Sequence, residues 1–149
     1  MFSDRLTKAR NAMDENNIDA LLLSVGADLP YFTGYEAMPL ERLTMLVVPK
    51  ESQAKLIVPA LEAPRVVEHS EIFTLHAWTE SQDPIDLVAD QLGAARSVAI
   101  GDTTWTRFTI ELLNQIPDLD LHRANNITSP IRSIKSLEEL ERLKTAASA

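Results

Sequence analysis

Three short apolar runs limit this chain more than any other feature. Residues 20–23, 43–48 and 54–58 are almost continuously apolar, where a strand with one wet face would alternate polar and apolar positions. Such runs predict strands covered on both faces, and therefore a sheet with helices above and below it. Pro49 and Pro59 close the second and third runs, and the polar Lys50-Glu51-Ser52-Gln53 between them suits a hairpin. A long segment separates the first two runs. It carries Tyr31, Phe32, Tyr35, Gly26, Gly34 and Arg42. Loops of that length inside a compact domain are functional or disordered, and this one is too aromatic for disorder. It is the predicted binding surface.

The remaining segments alternate between helical and extended patterns. Ser3 is placed to cap a first helix with Leu6, Ala9 and Met13 on its inner face. Residues 60–68 read as a short helix with Pro64 in its first turns, and residues 72–76 as a fourth strand. Asp83-Pro84 is a strong helix start, with Ile85, Val88, Ala89 and Leu92 inward and Gly93 as the stop. Residues 97–101 form a fifth strand. Thr103 or Thr104 is expected to cap the next helix, which buries Phe108, Leu112 and Ile116 and ends at Pro117. Residues 119–121 make a short sixth strand. The predicted fold is α/β: a mixed sheet of about six strands with helices on both faces.

Near the end, residues 129–135 read as extended. Ser136-Leu137-Glu138-Glu139 then forms a capping box. The helix that follows carries glutamates where its dipole favours negative charge, and Arg142 and Lys144 where it favours positive. Leu137, Leu140, Leu143 and Ala147 form its apolar stripe. No Gly, Asn or Pro stops it, so a chain cut from a longer protein is the expectation.

Composition narrows the function classes. The chain has 149 residues, one domain's worth, and a formal net charge of -8. That charge argues against a nucleic-acid partner, whose phosphates call for basic groups. With no cysteine, thiolate metal sites and thiol nucleophiles are impossible. There is neither a signal-peptide core nor a run approaching the roughly 20 apolar residues of a membrane span, so the reading is cytoplasmic.

Catalytic patterns are missing as well. His69, His76 and His122 show no metal-ligand spacing. His69 and Glu71 would share a strand face, Asp118 and Asp120 would flank an edge strand, and Asp83 would cap a helix. Gly26 and Gly34 are too far apart for a dinucleotide fingerprint. No phosphate loop and no Gly-x-Ser-x-Gly elbow occurs. Trp78 and Trp105 are large apolar surfaces before they are stacking platforms.

Two stretches carry a family resemblance. Tyr31-Phe32-Thr33-Gly34-Tyr35, with Glu41-Arg42 and the strand after it, resembles the aromatic-Thr-Gly loop and Arg-strand segment of the creatinase/prolidase N-terminal domain. Arg132-Ser133-Ile134-Lys135-Ser136-Leu137-Glu138-Glu139 resembles the segment by which that domain passes into a catalytic domain. The resemblance covers essentially the whole chain. It implies a ribonuclease H-like sheet over residues 1–134, with residues 135–149 starting a linker helix toward a missing C-terminal domain.

The implied whole protein is a Xaa-Pro dipeptidase or aminopeptidase P. In that family a divalent metal pair (manganese, cobalt or zinc), held in the second domain, activates water and polarises the carbonyl. No metal ligand and no catalytic residue is expected in this chain, which would be inactive alone. Its expected partners are its own catalytic domain, further copies in a homodimer or higher oligomer, and a proline-containing peptide. Tyr35, Arg42 and Trp78 are the candidates for lining the substrate entrance or meeting a partner subunit, Arg42 as a carboxylate fork. The competing reading pairs Arg42 with a Glu at the sheet edge and packs Tyr31 and Phe32 under the loop. A non-catalytic peptide- or protein-binding module of the same fold, and a creatinase-like amidinohydrolase, stay open as alternatives.

Overall fold

The computed structural model describes all of residues 1–149. In chain order the elements are α1 (Phe2–Glu15), β1 (Ala20–Leu23), α2 (Asp28–Thr33), β2 (Met45–Pro49), β3 (Ala54–Pro59), a 3₁₀ turn (Ala63–Arg65), β4 (Phe73–Trp78), α3 (Pro84–Leu92), β5 (Ser97–Ile100), α4 (Thr106–Gln115), β6 (Asp120–Arg123), α5 (Asn125–Ser133) and α6 (Leu137–Ala147). The strands form one six-stranded mixed sheet in the order β4-β3-β2-β1-β5-β6. β1 runs antiparallel to β2 and parallel to β5, so the direction of the sheet changes beside it. This is the mixed α/β arrangement expected. No helix is long and apolar enough to cross a membrane.

The apolar runs are buried on both faces because successive residues point to opposite layers. Leu21, Leu23, Leu46, Val48, Leu56 and Val58 pack with Leu6, Met13, Phe32 and Ile127, from α1, α2 and α5. Leu22, Met45, Val47, Ile57 and Val98 meet Ile85, Val88, Phe108 and Leu112, from α3 and α4. Every residue of β1 is fully buried.

Several sequence expectations are corrected. The aromatic segment is not all loop: residues 28–33 form α2, whose last turn ends at Gly34 with φ 73°. Thr33 Oγ1 donates to Leu29 O (2.7 Å) and accepts from Tyr35 N (3.0 Å), and Gly34 N donates to Pro30 O (2.8 Å). Thr-Gly is thus a helix stop, and a Cβ at Gly34 would sit 3.0 Å from Phe2 Cζ. The second strand begins at Met45 rather than Leu43, because side chains take the preceding carbonyls. Trp78 Nε1 donates to Leu43 O (2.9 Å) and Ser24 Oγ to Thr44 O (2.9 Å).

Residues 60–68 hold only the 3₁₀ turn, since Pro64 removes a donor and restricts the residue before it. Residues 129–133 belong to α5 rather than to an extended segment, despite Pro130. Burial of Ile127 and Thr128, and bonds from Thr128 Oγ1 (2.9 Å) and Arg132 (3.1 Å) to the Asp28 carboxylate, outweigh the one ladder bond Pro130 removes.

Ser3 lies inside α1, which has no side-chain cap. Neither threonine caps α4: Thr103 Oγ1 donates to Val25 O (2.5 Å), and Thr104 Oγ1 is buried without a partner. The fourth strand spans Phe73–Trp78, and the sixth is shifted to Asp120–Arg123. His69 and Glu71 lie in the turn before β4, not on a strand, 4.0 Å apart. Asp83 does cap α3, accepting from Ile85 N (2.9 Å), and Ser136 and Glu139 do form the capping box of α6.

Asp19 ties three strands together at one end of the sheet. Its carboxylate accepts from Arg96 N (3.1 Å) and Ser97 N (3.0 Å), at the entry to β5, and its carbonyl accepts from Lys50 N (3.0 Å), just past β2. The backbone bonds from Arg96 and Ser97 hold the carboxyl below its ordinary pKa.

Two predictions follow from this packing. Leu22→Ala removes a fully buried side chain from the central strand and should cost about 2–5 kcal/mol in urea unfolding, whereas Leu140→Ala on exposed α6 should stay within about 0.5 kcal/mol. For Asp19 the folded pKa lies below the unfolded value of about 4, so its stabilisation is complete above that value and is lost as pH falls through the folded one. Asp19→Asn should therefore lower the urea midpoint at neutral pH. The gap to the parent should close in acid, and a gap that stayed constant with pH would contradict the role given to the carboxylate.

Candidate functional site

The C-terminal ends of β1, β3, β4, β5 and β6 and the start of β2 lie at the same end of the sheet, as the strand pairings require. In open α/β sheets the crevice outside the strand C-termini is where ligands bind. At that end a groove of about 450 Å³ opens between the approach to β2, the exit of β4 and the α3/α4 layer. Its walls include Arg42, Leu43, Trp78, Glu80, Arg107 and Phe108.

The structure brings Arg42 and Trp78 together in this groove. Trp78 is a buried wall, its indole N–H spent on Leu43 O. Arg42 Nε lies 3.0 Å from Glu80 Oε1, in a pair whose side chains are 40% and 71% exposed. A pair that wet is weak, so the planar guanidinium can exchange Glu80 for another carboxylate at little cost. Arg107 pairs with Glu111 (3.1 Å) and lies 5.6 Å from the Phe108 ring centroid, while Trp105 stacks on the same ring at 6.3 Å. The groove is thus aromatic at its base and lined by exchangeable ion pairs at its rim. That suits holding a small zwitterion or peptide end.

Tyr35 is on the other layer. It packs with α1 and α2, and its hydroxyl donates to Glu62 Oε2 (3.3 Å). Burial, with Glu62 beside it, raises its pKa. Tyr31 and Phe32 also lie on that layer, edge to face at 5.1 Å. No three His, Asp or Glu side chains converge anywhere in the chain.

A second cluster escaped the sequence reading. Arg5, Tyr31 and Glu139 meet at the first turn of α6. Arg5 Nη2 lies 2.5 Å from Glu139 Oε1, and its guanidinium carbon is 3.9 Å from the Tyr31 ring centroid. The Ser136 backbone N–H, and then Arg5, hold the Glu139 carboxyl below its usual range, while burial raises the Tyr31 hydroxyl. Glu139 reads from sequence as a cap alone, and nothing in its spacing from Arg5 announces the contact.

Comparison with known proteins places these features in a family context. The model described as "Creatinase/Prolidase N-terminal domain" matches residues 5–134. A probable dipeptidase PepE from Mycobacterium bovis is 26% identical over 153 aligned residues, covering 100% of this chain and 40% of the relative. The crystal structure of dipeptidase PepE from Mycobacterium ulcerans superimposes with a TM-score of 0.83 at 26% identity, over 94% of this chain and 38% of that one. The creatinase/prolidase N-terminal domain of an X-Pro dipeptidase from Streptococcus pyogenes superimposes with a TM-score of 0.67 at 21% identity, over 80% of this chain and 98% of that one. The chain therefore spans about 40% of the length of the curated dipeptidase relative it matches.

The two groove residues should separate in a stability assay. Arg42→Ala should change the unfolding free energy by no more than about 0.5 kcal/mol, as for an exposed pair. Trp78→Phe leaves the Leu43 carbonyl without its donor and should cost about 1–3 kcal/mol. A large loss from Arg42→Ala in urea titrations would make the Arg42–Glu80 pair part of the scaffold instead.

Proposed function

Because the chain belongs to the creatinase/prolidase N-terminal domain family, we propose that it is the non-catalytic N-terminal domain of a cytoplasmic Xaa-Pro dipeptidase. Residues 1–134 form the domain in this reading, and residues 135–149 begin the helix that joins it to a catalytic domain. The observation that carries the proposal is α6. It is a well-capped amphipathic helix with none of its residues buried, and Leu137, Leu140 and Leu143 are 81%, 41% and 54% exposed. A stripe of that kind is stable in a folded protein when another surface covers it, and the dipeptidase relatives are long enough to supply one.

In this reading the labour is divided: the divalent pair (manganese, cobalt or zinc) and the hydrolytic step belong to the catalytic domain. This domain's contribution is to hold and orient. In the groove, Trp78 walls the site and Arg42 offers its guanidinium to the carboxylate of a Xaa-Pro peptide. Met38, Leu40 and Leu61, exposed at the same end of the sheet, supply apolar surface for a homodimer or higher oligomer. Tyr35 supports the aromatic segment from within.

The test uses the full-length protein. It should hydrolyse Xaa-Pro dipeptides with added divalent metal and stop when a chelator is added. Arg42→Ala should lower kcat/KM about ten- to hundredfold, equivalent to one charge-assisted hydrogen bond of about 1.5–3 kcal/mol. Absence of Xaa-Pro hydrolysis with every metal tried would sink the proposal. An unchanged kcat/KM in a folded Arg42→Ala protein would remove Arg42 from the substrate path.

A further inference from the structure

α6 is attached to the rest of the molecule at its first turn. Between it and α5 lie only Ile134, which is 75% exposed, Lys135 and Ser136. The capping box makes α6 a helix, but a cap acts within its own turn and does not fix the angle at which the helix leaves. The side-chain contact that reaches α6 from α1 is made by Arg5. Arg5 Nη1 donates to Tyr31 O (2.6 Å) and Nη2 to Glu139 Oε1 (2.5 Å), while the guanidinium plane lies over the Tyr31 ring. The Arg5 and Glu139 side chains are 12% and 17% exposed, far drier than the other ion pairs formed by α6 or the groove. The other Glu139 oxygen accepts from Ser136 N (2.7 Å). One carboxylate therefore closes the cap and grips α1.

We propose that Arg5 is a positioning residue that sets the direction of α6 by clamping Glu139 against the Tyr31 ring and carbonyl. Only a planar, multiply donating cation makes these contacts at once. Lysine keeps the charge but has neither the fork nor the stacking face. With the clamp removed, α6 stays helical through its cap and swings about residues 134–136. The inference concerns the attachment of α6 within this chain and does not depend on the functional reading above.

These 149 residues contain no cysteine, so labels can be placed at chosen positions of this chain. Asp90→Cys on α3 and Lys144→Cys on α6 carry spin labels, and the distance distribution between them is recorded by pulsed electron resonance. The parent should give one narrow peak. Arg5→Ala should replace it with a broad distribution extending to other distances, with helix content by circular dichroism unchanged. Ser136→Ala, which loses the cap hydroxyl and keeps the clamp, should retain the narrow peak. A narrow, unshifted peak in Arg5→Ala, or a Ser136→Ala distribution as broad as that of Arg5→Ala, overturns the proposal. Should Arg5→Ala fail to fold, Arg5→Lys carries the same test with the same two outcomes.

Discussion

The structure depends on a strand that touches no solvent. β1 lies where the sheet changes direction, and its alternate side chains feed two separate apolar layers. Such a strand cannot exist without helices on both sides, because each layer removes from water what the other cannot reach. Asp19 holds the polar end of this arrangement. It gives β1 a hydrogen-bonded junction with β2 and β5 at the exposed rim of the sheet, where these backbone N–H groups have no ladder partner. The helices pack where they do because β1 requires cover.

Two layers also mean two sides to the chemistry. Tyr35 and Trp78 are both aromatic and both near the end of the sheet where ligands are expected, yet they belong to different layers. Trp78 faces a groove with Arg42, and Tyr35 faces a packed helical layer with Glu62. A binding surface assembled from all three has to reach over the strand ends rather than sit on one face.

Sequence periodicity was enough for the sheet. The unbroken apolar runs, the Asp83-Pro84 start and the Ser136 capping box all declare themselves within a few residues, because their physics is local. The errors have a common cause in distance along the chain. Leu43 and Thr44 look like strand, but their carbonyls are claimed by side chains from Trp78 and Ser24. Residues 129–133 look extended because of Pro130, but Asp28, a hundred residues earlier, holds them in a helix. Thr103 and Thr104 look like caps, but one hydroxyl is drawn to Val25. Arg42 was legible as a site candidate by its place in a family motif. Arg5 was not, since its partner Glu139 is 134 residues away.

That long-range contact makes the two ends of the chain mechanically one piece. Met1 lines the same cleft as Arg5 and Glu139, beneath the root of the last helix. Met1 is itself 46% exposed, so a peptide joined to its amino group would emerge beside the Arg5–Glu139 contact, and the start of the chain is where an addition could reach the angle of α6.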